Sequence, residues 1–342
     1  MPASAAWQLS DPDATAAHLL CWYDGSARAL PWRSAHGVTP DPYHVWLSEV
    51  MLQQTTAATV KPRYRRFLER WPTVEALAAA PDAEVLQEWA GLGYYARARN
   101  LIACAREVAG KGGFPRTEAE LRKLPGLGAY TAAAIAAIAF GEAVAAVDTN
   151  VERVVTRLAG INRPIAEVRP EIRKLAQSMV SANRPGDFAQ AMMDLGATIC
   201  RPRNPMCGDC PLSGDCVAFA SGTPEAFPAP KPRKDRPHRH GTAWWIEHDG
   251  AIWLVRRPAK GMLGGMAALP GDDWVGEQPP HDALATVRHG FTHFTLDLAM
   301  VERSEPPPGD GWWQPISSLG TAGLPTLYAR AVEAVLARKE MQ

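Results

Sequence analysis

The chain has 342 residues, 46% of them apolar and 21% charged, a balance that excludes the disordered and fibrous classes in a length too great for one ordinary core. Its 36 basic side chains are matched by 36 acidic ones, which excludes a globally basic nucleic-acid binder and leaves only local patches for such contacts. The longest apolar stretch, Ala132 to Phe140, is far too short to cross a bilayer, and no basic-then-apolar leader opens the chain, so no membrane partner is expected and the reading is cytoplasmic.

From about Asp13 to Leu195 the apolar residues recur at helical spacing, as in Val147, Val151, Val154, Val155 and Leu158, so this region reads as nearly all helix. Breakers fall at Pro72, Pro81, Gly91-Leu92-Gly93, Gly112-Gly113, Pro125-Gly126 with Gly128, Gly160 and Pro185-Gly186, which predicts short helices joined by short connections. Thr223 to His240 is dense in proline and basic residues without apolar periodicity and reads as an extended linker. Beyond it, AWWIE, AIWLVRR and FTLDLAMVE are short β-prone runs, and Tyr328 to Arg338 is a closing helix, an α+β pattern. The expected organisation is multidomain: a helical domain over 1–222, a linker over 223–240 and an α+β domain over 241–342.

Four of the six cysteines, Cys200, Cys207, Cys210 and Cys216, are spaced C-x6-C-x2-C-x5-C. That clustering favours a metal site over disulfides, and four thiolates suit either a [4Fe–4S] cluster or tetrahedral zinc. Leu124-Pro125-Gly126-Leu127-Gly128 precedes a helix near Tyr130, where glycines let backbone amides approach a phosphate; a plain helix-helix turn is the other reading. Asp148 stands at the next helix start, beside a Thr149-x-x-Glu152 capping-box pattern, where the helix dipole favours negative charge. Read alone, it is a cap. Glu49 has Val45, Trp46, Leu52 and Gln53 as helical neighbours, a largely apolar face on which desolvation raises a carboxyl pKa, as a general acid requires. The alternative is a buried partner for an arginine such as Arg33.

The cysteine spacing after an all-helical domain resembles the cluster loop of the endonuclease III superfamily, which implies iron–sulfur. LPGLGAYTAAAIAAIAFG followed by VDTNVERVVTRL resembles that superfamily's helix-hairpin-helix and catalytic loop, which implies DNA-backbone binding at Gly126 and Gly128 and a catalytic Asp148. SEVMLQQT is similar to the signature of the adenine DNA glycosylases of MutY type. Tyr130 occupies the position at which strand-cutting members carry a Schiff-base lysine, so the resemblance implies a monofunctional glycosylase. It also assigns Leu52 and Gln54 to the wedge that opens the duplex, Tyr94 to stacking beside the oxidised guanine, and Arg33, Gln190 and Asn150 to the adenine pocket. Gln53 and Thr55 of the same signature string join the base-binding set. By periodicity alone Leu52 and Tyr94 are core residues.

In the second domain Phe291-Thr292-His293 resembles the Phe-Ser-His loop that reads 8-oxoguanine, on what resembles a Nudix fold. Thr292 replaces the family serine, MLGGMAALPG is a weak version of the aromatic-rich loop, and the Nudix metal box is absent, so a reader rather than a hydrolase is expected. The likeness is strong over about Pro31 to Cys216 and weaker over Ala243 to Met341. It implies a monomeric base excision repair enzyme that flips adenine out of A:8-oxoguanine or A:G pairs in double-stranded DNA and hydrolyses its glycosidic bond. A mismatch thymine glycosylase or endonuclease III-like enzyme shares the cluster and hairpin. A non-catalytic iron–sulfur DNA-binding protein would not need Glu49 and Asp148 together.

Overall fold

The computed structural model describes residues 9–35, 37–230, 236–258, 261–276, 282–291 and 293–340. Its helices are α1 (Pro12–Ser26), α2 (Pro42–Leu52), α3 (Ala57–Arg70), α4 (Val74–Ala79), α5 (Asp82–Glu88), α6 (Ala96–Gly110), α7 (Glu118–Leu121), α8 (Ala129–Phe140), α9 (Thr149–Leu158), α10 (Ile165–Ser178), α11 (Pro185–Thr198), α12 (Val217–Ala220) and α13 (Thr326–Glu340). The strands are β1 (His238–Trp245), β2 (Glu247–His248), β3 (Ala251–Arg256), β4 (Ala267–Ala268), β5 (Ala285–Gly290), β6 (Thr295–Glu302) and β7 (Gly311–Pro315). An all-helical region is thus followed by one containing sheets, as the sequence pattern predicts.

Local chemistry starts and stops the helices. Asp11, Asp41 and Thr56 cap α1, α2 and α3 by accepting backbone N–H groups, and Pro42 opens α2 where a missing donor costs nothing. Gly141 ends α8 at φ +70°, a left-handed turn that favours glycine. Between these ends α8 is almost all alanine, isoleucine and threonine and is buried on nearly every side; its small side chains admit α2 and α11 closely. A second core joins α1, α9, α10 and α11 through Leu19, Val155, Ile172 and Leu195, with Cys200, Cys210 and Cys216 against its edge.

Contacts divide the chain into two units, Met1–Ala80 with Asn100–Pro232 and Pro81–Arg99 with Arg233–Gln342. Segment 81–99, which periodicity places among the helices of the first region, stands in the second unit. Within that unit Arg99 Nη1 donates to the Gly264 carbonyl at 2.7 Å. The second unit holds a three-stranded sheet ordered β1-β6-β5, with β1 and β6 parallel, and a sheet in which β3 pairs with β2, β4 and β7. Its core gathers Trp245, Leu254, Trp274, Leu298 and Tyr328. β1 starts at His238, inside the stretch read as linker, because its backbone pairs with β6 from His238↔Thr295 onward; such pairing leaves no trace in local periodicity. β5 and β7 were likewise illegible.

Candidate active site

A cavity of about 900 Å³ opens in the first unit between the end of α2, the start of α9 and α11. Arg33, Glu49, Leu52, Gln53, Gln54, Thr55, Tyr130, Asp148, Asn150 and Gln190 all line it, so residues more than a hundred positions apart in the sequence meet.

Glu49 is buried on α2. Loss of water pushes its carboxyl up to about 7; the Asp148 charge adds to this, while a hydrogen bond with Tyr130 and the field of Arg33 oppose it. It is not the partner of Arg33. That guanidinium grips the fully buried Asp194 on α11 with Nη1 at 2.5 Å and Nη2 at 2.7 Å. Arg28 adds Nε at 2.5 Å and its backbone N–H at 3.1 Å to the same carboxylate. The Arg33 charge therefore remains near Glu49, held in one orientation by a bidentate fork.

Tyr130, on the first turn of α8, points its hydroxyl at the Met193 sulfur, 2.9 Å away, and also bonds Glu49. Burial, then the Glu49 and Asp148 charges, push its phenol well above the usual range, so it keeps its proton.

Asp148 is the N-cap of α9. Its Oδ1 accepts the Val151 N–H at 2.7 Å and its Oδ2 accepts Asn150 Nδ2 at 2.8 Å. The expected capping box is corrected here: Thr149 is the first helical residue rather than the cap, and Glu152 turns to Arg169 Nε at 2.6 Å. Two donors fix the Asp148 carboxylate where it lines the cavity.

Asn150 is itself held, because its Oδ1 accepts Arg153 Nη2 at 2.9 Å. Arg153 further donates to the carbonyls of Gly196 (2.7 Å) and Cys200 (2.8 Å). Gly196 is required at this crossing, since a Cβ there would lie 2.5 Å from Asn150 Cβ. One turn on, Arg157 reaches Cys200 Sγ at 3.3 Å and the Arg201 carbonyl at 2.7 Å. Helix α9 thus presents the aspartate at one end and two arginines to the cysteine loop.

Sequence reasoning missed Arg28, Asp194, Arg153 and Arg157. The available signal was arginine at i and i+4, Arg153 and Arg157, on the helix that follows the aspartate, whose apolar face demands burial. Nothing local marks Asp194, whose partners lie 161 and 166 residues away.

The remaining assignments take several forms. Gln53 Nε2 donates to Thr131 Oγ1 at 3.1 Å, tying the end of α2 to α8. Gln54 is exposed at φ +57°, a strained placement for a non-glycine residue that projects from the cavity rim. Leu52 is half-buried there. Tyr94 is 54% exposed at φ +48°, with the Arg97 guanidinium 5.5 Å from its ring centre; periodicity misreads it as core. Gly126 takes φ +76°, and a Cβ would stand 2.7 Å from that of Asn100. Gly128 caps α8 with no side-chain bond, leaving amides of the first turn open to an anion. In the second unit Phe291 stacks on Trp274 (5.6 Å, 24°), its N–H bonds the Phe294 carbonyl at 2.9 Å, and His293 is exposed. Thr292 lies outside the described residues.

Cys200 lies two residues beyond the end of α11, Cys207 opens a 3-10 turn that Cys210 follows, and Cys216 is the N-cap of α12. Burial raises the Cys207, Cys210 and Cys216 thiols, Cys210 to about 11, and the neighbouring sulfurs raise each further. Backbone N–H groups of Leu212, Ala218 and Phe219 and the Arg157 guanidinium face the sulfurs. Four thiols near enough to feel one another's charge, with such donors, fit a thiolate-bound metal centre.

A buried acid and a helix-capping aspartate that line one cavity, together with the glycine turn that opens α8, fit a helix-hairpin-helix glycosylase of base excision repair. Residues 47–182 match the HhH-GPD superfamily base excision DNA repair protein model, and residues 241–334 match a NUDIX domain. The chain belongs to the adenine DNA glycosylases. It is 38% identical to the Homo sapiens adenine DNA glycosylase over 86% of this chain and 69% of that protein. With the Mycolicibacterium smegmatis adenine DNA glycosylase it shares 46% identity over 60% and 70% of the two chains. Among solved structures, a thermostable thymine-DNA glycosylase aligns with a TM-score of 0.55 at 31% identity, covering 61% of this chain and 97% of that one. A trapped endonuclease III–DNA covalent intermediate aligns at 0.52 and 26%, over 61% and 95%. Among the described residues no helix is long and apolar enough to cross a membrane.

Proposed function

We propose that the enzyme removes adenine from A:8-oxoguanine and A:G pairs by hydrolysis, leaving the DNA strand intact. The observation that carries this reading is the convergence of Glu49, Tyr130, Asp148 and Asn150 on one cavity. Adenine leaves the stack and enters the cavity, while Gln54 and Leu52 fill the gap. Glu49 protonates the leaving base, and the nearby Arg33 charge favours the carboxylate that results. Positive charge then develops on the sugar and faces Asp148, which Asn150 and the Val151 amide hold in place. Tyr130 orients Glu49, and water completes the reaction. Phe291, Thr292 and His293 read the 8-oxoguanine, with Tyr94 stacking beside it. Cys200, Cys207, Cys210 and Cys216 hold a [4Fe–4S] cluster, which when bound staples their loop beneath α9.

Base release from A:8-oxoguanine, A:G, T:G and thymine-glycol duplexes tests this reading. Wild type is expected to act on the first two; release of thymine instead would support the likeness to the thymine-DNA glycosylase. Asp148→Asn should still bind duplex, with excision reduced on the order of a thousandfold, because the shape survives and the charge does not. Wild-type turnover by that variant would leave Asp148 a helix cap.

Two further outcomes are expected. With tyrosine at 130, the product is an alkali-labile abasic site and borohydride traps no efficient adduct; strand scission by the purified enzyme would contradict the assignment. Anaerobically purified protein should contain about four iron and four sulfide per chain, and zinc in their place would replace the cluster while keeping its ligands.

A further inference from the structure

We infer that the second unit carries a separate binding site for a divalent transition metal of the zinc class, built by His238, His240 and Asp297. His238 and His240 are two residues apart on β1, so the period-two alternation of a strand puts both imidazoles on one face. The parallel register sets His238 opposite Thr295 and His240 opposite Asp297 on β6. One ring nitrogen from each histidine and one Asp297 oxygen lie within 4.8 Å of one another.

The closest pair, His238 Nε2 and Asp297 Oδ2, is 3.2 Å apart. Ligands about 2.0–2.1 Å from a tetrahedral zinc stand about 3.3 Å from each other, so this pair already has the spacing and His240 needs only a modest closure. The opposite nitrogen of His238 is 2.7 Å from Thr295 Oγ1. In the tautomer with hydrogen on Nδ1, that nitrogen donates to the hydroxyl and leaves the Nε2 lone pair for a metal, the outer support that ligating imidazoles generally have. His240 Nδ1 is buried and has no hydrogen-bond partner among the described residues, a cost that needs a compensating contact. Two imidazoles and a carboxylate select zinc or a neighbouring transition ion over magnesium or calcium, and leave a fourth position for water.

Arg288 opposes this site. It donates Nε to Asp297 Oδ1 at 2.7 Å and Nη2 to Oδ2 at 2.9 Å, so a metal must displace Nη2. The Arg288 side chain is 73% exposed and its departure returns it to water at little cost. Because β6 begins two residues after His293, an occupied site lies close to that residue along the chain.

Calorimetric titration of the chelator-treated, full-length protein with zinc chloride tests the site. Wild type, His238→Ala/His240→Ala, Asp297→Asn and Arg288→Ala are compared, each retaining all four loop cysteines, so zinc taken there appears equally in every sample and cancels. Wild type is expected to show one additional zinc per chain with a dissociation constant on the order of micromolar. The histidine double variant and Asp297→Asn should each weaken it at least about a hundredfold, and Arg288→Ala should tighten it about tenfold. Retained adenine release shows that a variant is folded, and Asp297→Asn keeps the test open should the double variant fail to fold. No zinc binding beyond the cysteines, equal binding by the double variant, or no tightening in Arg288→Ala would each overturn the proposal.

Discussion

Replacing Glu49 by glutamine is expected to stop adenine release while making the protein more stable above pH 7. The amide keeps the shape of the carboxyl and removes the transferable proton, a contribution commonly worth about a hundredfold to ten-thousandfold, so single-turnover excision should fall on the order of a thousandfold. Stability moves the other way. An unfolded glutamate ionises near 4.5, whereas burial holds the folded Glu49 carboxyl protonated up to about 7. Between these values the folded chain binds more protons than the unfolded one, so stability falls as pH rises through the window and stays low above it. Two to three pH units correspond to about 3 kcal/mol, a loss that glutamine does not incur. Urea unfolding of both proteins at pH 4.5 and pH 8 should therefore show a gain for the variant only at pH 8; an equal difference at both values would mean that ionisation of Glu49 is not its source. In the wild type, excision should decline about tenfold per pH unit above 7 as the acid is titrated away.

Asp194→Ala should be strongly destabilising, and Asp194→Asn should change the pH profile. Asp194 is fully buried and accepts from Arg28 and from both Nη atoms of Arg33, whose side chain is only 11% exposed. Truncation leaves two guanidinium groups facing each other without a counter-charge, a loss on the order of 3–5 kcal/mol measurable by urea unfolding. Asparagine preserves an acceptor but not the charge. The uncompensated Arg33 field then acts more strongly on Glu49, which it already lowers, so the fall in activity should begin at lower pH than in wild type. An unshifted profile with intact stability would reduce Asp194 to an ordinary polar residue beside the cavity.

The two carboxylates of the cavity differ in how they were legible. Glu49 announced its environment through Val45 and Trp46 at helical spacing, and burial of that face follows from periodicity alone. Asp148 had only its position at a helix start, and the structure shows it acting as a cap; what distinguishes it is Asn150, fastened by Arg153 to the backbone of α11. Tyr94 and Gln54 went unread by pattern because each sits at positive φ, and a residue that leaves the helical region also leaves the helical phase.

Some properties of this protein were settled by its sequence. Helix starts, the four-cysteine spacing, the glycines of the hairpin and the apolar face around Glu49 are local matters, decided by capping, backbone freedom and a period of 3.6. Other properties belong to the tertiary structure alone. The pairing of Arg33 with Asp194 rather than Glu49, the grouping of segment 81–99 with the C-terminal unit, the extension of β1 back to His238 and the meeting of two histidines with Asp297 all join residues far apart in the chain. Such contacts are decided by how packed faces and strand registers bring distant backbone together, and a local pattern carries no record of the partner it will meet.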